Sequence, residues 1–188
     1  MGDKTEYRSA IRSRRMIREA FLSLLSSKDL SKITVTDIIK LADINRSTFY
    51  AHYPDVSGVI EEIENEIIGK MMQILGEFKY QSFFTNPTPL LLKISRYLEE
   101  DENFYRILIQ SNGASTFLEK LKAVFVEYMK SDVSIPEDIR NSKKFELRIF
   151  YFSGGIVNMY QQWFAGKLNC SLNDISLEIG QLFGIDKM

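Results

Sequence analysis

Between Ile33 and Tyr53 two helix starts of one design follow each other, and no other stretch constrains the chain so strongly. In the first, Thr34 is placed to cap the helix with Asp37 three residues on, and Ile33 and Ile38 flank the cap as a hydrophobic staple. In the second, Asn45 takes the capping position, Thr48 follows at the same distance, and Ile44 and Phe49 repeat the staple. Only Ala42-Asp43-Ile44 separates them, a small residue followed by one that tolerates left-handed backbone. Two short helices joined by so tight a turn form a helix-turn-helix, whose second helix can enter a DNA major groove.

Charge is distributed as such a head requires. Residues 1–56 carry ten Lys/Arg against seven Asp/Glu, while the remainder carries fourteen against eighteen. A basic head on an acidic body suits phosphate binding by one end. Five arginines (Arg8, Arg12, Arg14, Arg15 and Arg18) fall in the first half of a helix read over Arg8 to Ser26. They form either a solvated face or an arm over the DNA backbone.

In the second helix of the pair, Phe49 lies on the core side with Ile44, whereas Arg46, Ser47, Tyr50 and Ala51 project away near the N-terminus, where base edges are met. Thr48 and His52 flank them and Thr36 opens the preceding helix, all three suited to phosphate oxygens. His52 is the only histidine and Cys170 the only cysteine, so neither a metal site nor a histidine-based catalyst can be assembled. A glycine-rich phosphate loop is missing, and Glu99-Glu100-Asp101-Glu102 reads as a solvated charge run. We therefore expect no enzyme, no cofactor and no metal. With a single cysteine and no apolar run of membrane-spanning length, a cytoplasmic protein without a membrane partner is expected.

The runs Thr34-Val35-Thr36-Asp37-Ile38-Ile39 and Asn45-Arg46-Ser47-Thr48-Phe49-Tyr50-Ala51-His52-Tyr53 resemble the TetR-type (tetracycline-repressor-like) family of bacterial regulators. That family carries T-V-x-x-I-A, a turn, and then S-x-x-T-F/Y-Y-x-H-F/Y in a three-helix head. The close likeness covers roughly residues 10–60. It implies phosphate contacts from Thr36, Thr48, Tyr50 and His52 and base contacts from Arg46 and Ser47, with Tyr50 shared. Two positions depart from the pattern. Asp43 stands at the turn position usually held by Gly, and Val56 replaces the Lys that usually opens the fourth helix, with Asp55 beside it.

The rest of the chain reads as helical, giving an all-α protein: a helix-turn-helix head over residues 1–55 and a larger regulatory and dimerisation body over 56–188. A long helix from Val56 to about Tyr80 should lead into the body, followed by a loop over Gln81 to Pro89. Helices over Leu90–Leu98, Glu102–Gln110 and Ala114–Lys130 come next. Phe145 to Phe164 is apolar almost all round and interrupted by Gly154-Gly155, which suggests close approach by another helix or a ligand. A final helix, capped by Ser171 or Asn173, presents Leu172, Ile175, Ile179, Leu182 and Phe183 as its stripe. The resemblance implies that the last two helices (about 145–166 and 171–185) pair with their copies in a homodimer. It further implies a ligand-responsive regulator, most simply a repressor on a palindromic double-stranded DNA operator. The small-molecule effector would sit among Tyr97, Phe104, Phe125, Tyr160 and Trp163, and the lack of buried basic residues points to a neutral or cationic apolar molecule. The alternative is a TetR-like protein acting through a protein partner, its DNA binding weakened by Asp43, Asp55 and Val56.

Overall fold

The computed structural model describes residues 3–111 and 113–184; within these there are eleven α-helices, one short 3-10 turn and no strand. Packing divides the chain into two compact units, 1–66 with 111–113 and 67–110 with 114–188. The sequence puts the division at residue 56, where α4 begins; by packing, the first half of that helix belongs to the head.

In the first unit, α1 (Asp3–Leu25) turns Ile17, Ala20, Phe21 and Leu25 inward at helical spacing. Beneath it lie α2 (Val35–Leu41) and α3 (Arg46–Tyr50), with Ile38 and Phe49 fully buried. The start of α2 is a reciprocal capping box: Asp37 N–H donates to Thr34 Oγ1 at 3.1 Å, and Thr34 N–H to the Asp37 carboxylate at 2.9 Å. Lys28 also reaches that carboxylate at 2.8 Å, and these hydrogen bonds, that of Lys28 foremost, lower the Asp37 pKa to about 2. Asp43 ends α2 in left-handed backbone at φ 49°, and Ile44 N–H closes back on the Ile39 carbonyl at 3.1 Å. Asn45 then accepts from Thr48 N–H at 2.7 Å and opens α3. Both caps and the left-handed turn expected from the sequence are in place.

The exit from α3 also has a structural reason. The Asp55 carboxylate accepts from Gly58 N–H at 3.0 Å and so caps α4 (Val56–Leu75). A residue read as a misplaced charge is the helix cap.

In the second unit α4 stops at Leu75, short of the expected Tyr80, where Gly76 and two following turns break the ladder. The expected loop over residues 81–89 holds a further helix, α5 (Tyr80–Thr85). Burial drives it: Phe83 packs edge-on against Phe125, and Phe84 against Phe145, each pair with centroids 5.9 Å apart. The prolines of that stretch open α6 (Thr88–Glu99), with Pro87 at its N-cap. Then come α7 (Glu102–Gln110), α8 (Ala114–Ser131), the single turn α9 (Glu137–Arg140), α10 (Lys143–Phe164) and α11 (Leu172–Gly184). Ile135, in the segment between α8 and α9, is buried with Phe145 and Ile149 in one core cluster.

The glycine pair has no close neighbour in its own chain, and the last stripe needs correction. Within the chain, Cβ atoms on Gly154 or Gly155 would meet nothing within 4 Å. The close approach is at Gly180, where α11 packs on α6 and a Cβ would overlap the Thr88 hydroxyl. Leu182 lies exposed rather than in the α11 stripe, which is Leu172, Ile175 and Ile179; the Phe183 side chain lies outside the described residues. Ser171 is the α11 cap, in a second capping box with Asp174.

Candidate nucleic-acid interface and ligand cavity

The short α3 leaves a cluster of side chains with no role in the core. Arg46, Ser47 and Tyr50 are exposed, and Tyr50 keeps 49% of its surface. Arg46 Nη2 donates to Thr36 Oγ1 across the helix pair at 3.1 Å, and its guanidinium lies 5.9 Å from the Tyr50 ring centroid. Thr36, Arg46 and Tyr50 therefore form one contiguous patch, with Ser47 beside it. Ser47 and Thr48 both donate their hydroxyls to Asn45 Oδ1, at 2.7 and 2.8 Å, which fixes their rotamers.

His52 is brought against α1, where its Nε2 lies 2.7 Å from Ser13 Oγ, with the direction of donation set by the tautomer. Partial burial lowers its pKa, the nearby positive Arg14 adds to this, and Glu62 opposes it. The ring is thus neutral at neutral pH. Of the five α1 arginines, three are engaged within the head: Arg14 with Glu62 at 3.9 Å, Arg15 with Glu19 at 3.6 Å, and Arg18 with Glu66. Arg8 and Arg12 stay solvated. Glu62 also accepts from Tyr53 at 3.1 Å, and burial together with that carboxylate pushes the Tyr53 pKa up to about 12.

The body encloses a cavity of about 140 Å³ between α4, α5, α6, α7, α8 and α10. Two of the five aromatic candidates, Phe125 and Tyr160, line it. Three do not. Tyr97 borders a surface groove on α6 and faces Tyr105 at 5.7 Å, and Phe104 packs on the other side of that ring at 4.9 Å. Trp163 lies under Arg106 at 5.4 Å and donates its indole N–H to the Cys170 carbonyl at 2.6 Å. The wall instead uses Tyr105, Phe83 and Phe152, with Met71 and Met72 beside them. Apart from Phe83, which falls in the stretch expected as a loop, these belong to helices that the sequence marks as apolar without saying which face meets the cavity.

Tyr160 has a second role. Its hydroxyl sits in a buried hub, 2.8 Å from Ser95 Oγ and 3.3 Å from both Ser176 Oγ and the Leu91 carbonyl. Ser95 and Ser176 are 2.8 Å apart, and the Leu172 carbonyl lies 3.1 Å from each hydroxyl. The hub ties α6, α10 and α11 together beside the cavity, and no sequence motif announces it.

On the outside of this unit, α10 exposes Leu147, Phe150 and Tyr151, and α11 exposes Leu177 and Leu182. Tyr151 keeps 75% of its surface.

Comparison with known proteins agrees with this architecture. A family model described as "Transcriptional regulator C-terminal region" (TetR_C_8) matches residues 85–184. The HTH-type dhaKLM operon transcriptional activator DhaS of Lactococcus lactis is 29% identical over 133 residues, 66% of this chain and 67% of that protein. A TetR transcriptional regulator from Streptococcus agalactiae superimposes with a TM-score of 0.66 over 97% of this chain and 99% of its own, at 21% identity. A putative TetR-family regulator from Syntrophomonas wolfei gives 0.71 over 94% and 96%, at 14% identity, a likeness of fold alone. With more than half of its length matched by the family model, the chain belongs to the TetR family of transcriptional regulators.

Proposed function

We propose that the protein is a ligand-responsive repressor that binds a palindromic operator as a homodimer. The patch of Arg46, Thr36, Ser47 and Tyr50 carries this reading. These side chains are exposed on a doubly capped helix pair and contribute nothing to its core, so the fold itself does not explain them. In the groove, Arg46 would exchange the Thr36 hydroxyl for guanine O6 and N7, Ser47 would meet a neighbouring base, and Tyr50 would serve a base or a phosphate. Thr36, Thr48 and His52 would hold backbone phosphates, with the solvated Arg8 and Arg12 adding charge. The exposed apolar faces of α10 and α11 support dimerisation through these helices, which would set two α3 helices in successive major grooves. The head would act as the DNA-binding domain and the rest of the chain as the regulatory and dimerisation domain. An effector in the body's cavity would favour one arrangement of the dimer and so weaken operator binding by linkage.

Two other readings are set against this one. The relative DhaS is an operon activator, and the same head serves activation when the operator lies upstream of a promoter. Action through a protein partner draws on Asp43, Asp55 and the Val56 that stands in place of a basic residue; Asp43 and Asp55 each have a folding task, as a left-handed turn and as the cap of α4, which leaves Val56 as its support. Selection of bound duplexes from a random pool tests the leading reading. Arg46→Ala should relax preference at one base pair by about 1–3 kcal/mol, and His52→Ala should weaken all sequences alike. Equal loss of specificity in both variants would overturn these assignments.

A further inference from the structure

We infer that the body's cavity takes a neutral, single-chain amphiphile of the fatty-alcohol class, its tail along α10 and its head group on Gln161. The inference rests on the ligand-responsive reading and narrows it to a chemical class.

Charge decides first. No Asp, Glu, Lys, Arg or His lines the cavity, and its polar neighbours are limited to Ser153, Gln161 and the two tyrosines. An ionised head group would lose its hydration with no counter-charge to replace it. This removes the cationic ligands that the sequence leaves open.

Shape decides next. Along α10 the lining runs from Ile149 to Phe164, about 22 Å of helix axis at the usual rise per residue. Only about 140 Å³ is shared along that length. A cavity so long and so small is a narrow bore, which fits an unbranched chain better than fused rings. Met71 and Met72 on the opposite wall supply flexible thioethers that adapt its width.

The head group follows by elimination among the polar groups of α10, the helix along which the tail would lie. The Tyr160 hydroxyl is taken up by Ser95, Ser176 and Leu91, and Ser153 donates to the Phe150 carbonyl. The hydrogen bonds of the described residues do not engage the Gln161 amide, which is half-buried and offers both a donor and an acceptor. It suits a hydroxyl.

Calorimetric titration of the full-length protein with decanol, decanoate, decylammonium and naphthalene near neutral pH tests the inference. Decanol should bind at one per chain, and the two ions at least ~100-fold more weakly. Naphthalene should also bind more weakly than decanol. Gln161→Leu should weaken decanol about five-fold, the worth of one hydrogen bond. Val157→Phe should fill the bore and abolish binding; if circular dichroism shows that variant unfolded, Ile94→Phe from the facing helix replaces it. Equal affinity for decanoate or naphthalene, or no binding by decanol, overturns the assignment. Operator affinity measured in the same samples separates the two ideas: decanol that binds without changing it leaves the ligand class standing and sinks the regulatory role.

Discussion

Removing one oxygen from Tyr160 probes the hub that ties α6, α10 and α11. In Tyr160→Phe the ring keeps its place, and Ser95 and Ser176 keep each other at 2.8 Å and the Leu172 carbonyl at 3.1 Å. No buried hydroxyl is left without a partner, so the cost is one net hydrogen bond, about 1 kcal/mol. Ser95→Ala is a different perturbation. It removes the 2.8 Å partner of Tyr160 and the 2.8 Å partner of Ser176 at a fully buried position, at a cost of about 2 kcal/mol. Burial raises the Tyr160 pKa, so the hydroxyl stays protonated throughout the working range. Urea unfolding at fixed protein concentration measures both variants, since association adds to apparent stability. The two losses should sum to more than the loss in the double variant, because they share a contact. Should Tyr160→Phe match or exceed the wild type and the losses add, the hub contributes nothing and the reasoning fails.

Further perturbations address the head and the proposed dimer. Asp43→Gly should relieve left-handed backbone at φ 49° and stabilise the head by about 0.5–1 kcal/mol. It should also raise affinity for any duplex by removing a negative charge; a loss of stability would refute the turn assignment. Gly155→Ala meets no atom within 4 Å inside one chain, so helix propensity alone should stabilise the monomer by about 1 kcal/mol. If α10 helices cross near this point in the dimer, sedimentation equilibrium should show weaker association; unchanged association would place the crossing elsewhere. The pKa of His52 is lowered, so the unfolded chain binds more protons once pH falls below its ordinary 6.5. Unfolding free energy should therefore drop below that pH and level off beneath the folded value, and His52→Gln should lack this component. The lowered Asp37 pKa acts at lower pH: its contribution is present above 3.8 and is lost as pH falls toward 2. Asp37→Asn should remove that loss from the acid unfolding curve.

The head was legible because its signals are local. Thr34 with Asp37, Asn45 with Thr48, and Asp43 in the turn each act within a few residues, so the order of the chain contains the interaction. Asp55 shows the limit: its sequence neighbours suggest a charge facing phosphate, and only the Gly58 N–H reveals a cap. In the body the deciding contacts join distant residues. Six residues of α5 form a helix because Phe83 and Phe84 find Phe125 and Phe145. Gly180 matters because Thr88 faces it, while the more conspicuous Gly154-Gly155 touches nothing in its own chain. Trp163 and Phe104 differ from Phe125 and Tyr160 only in which face of a helix they occupy, and an apolar helix carries no pattern to say so.

The central claim is that the helix-turn-helix grips DNA through phosphates and base edges. Duplex affinity measured against salt concentration tests it most directly. Measurable binding to any duplex is expected at low salt, falling log-linearly with a slope of about −0.9 for each phosphate held. Arg8→Ala and Arg12→Ala should each make that slope shallower. Absence of binding at low salt, or binding indifferent to salt, would contradict it.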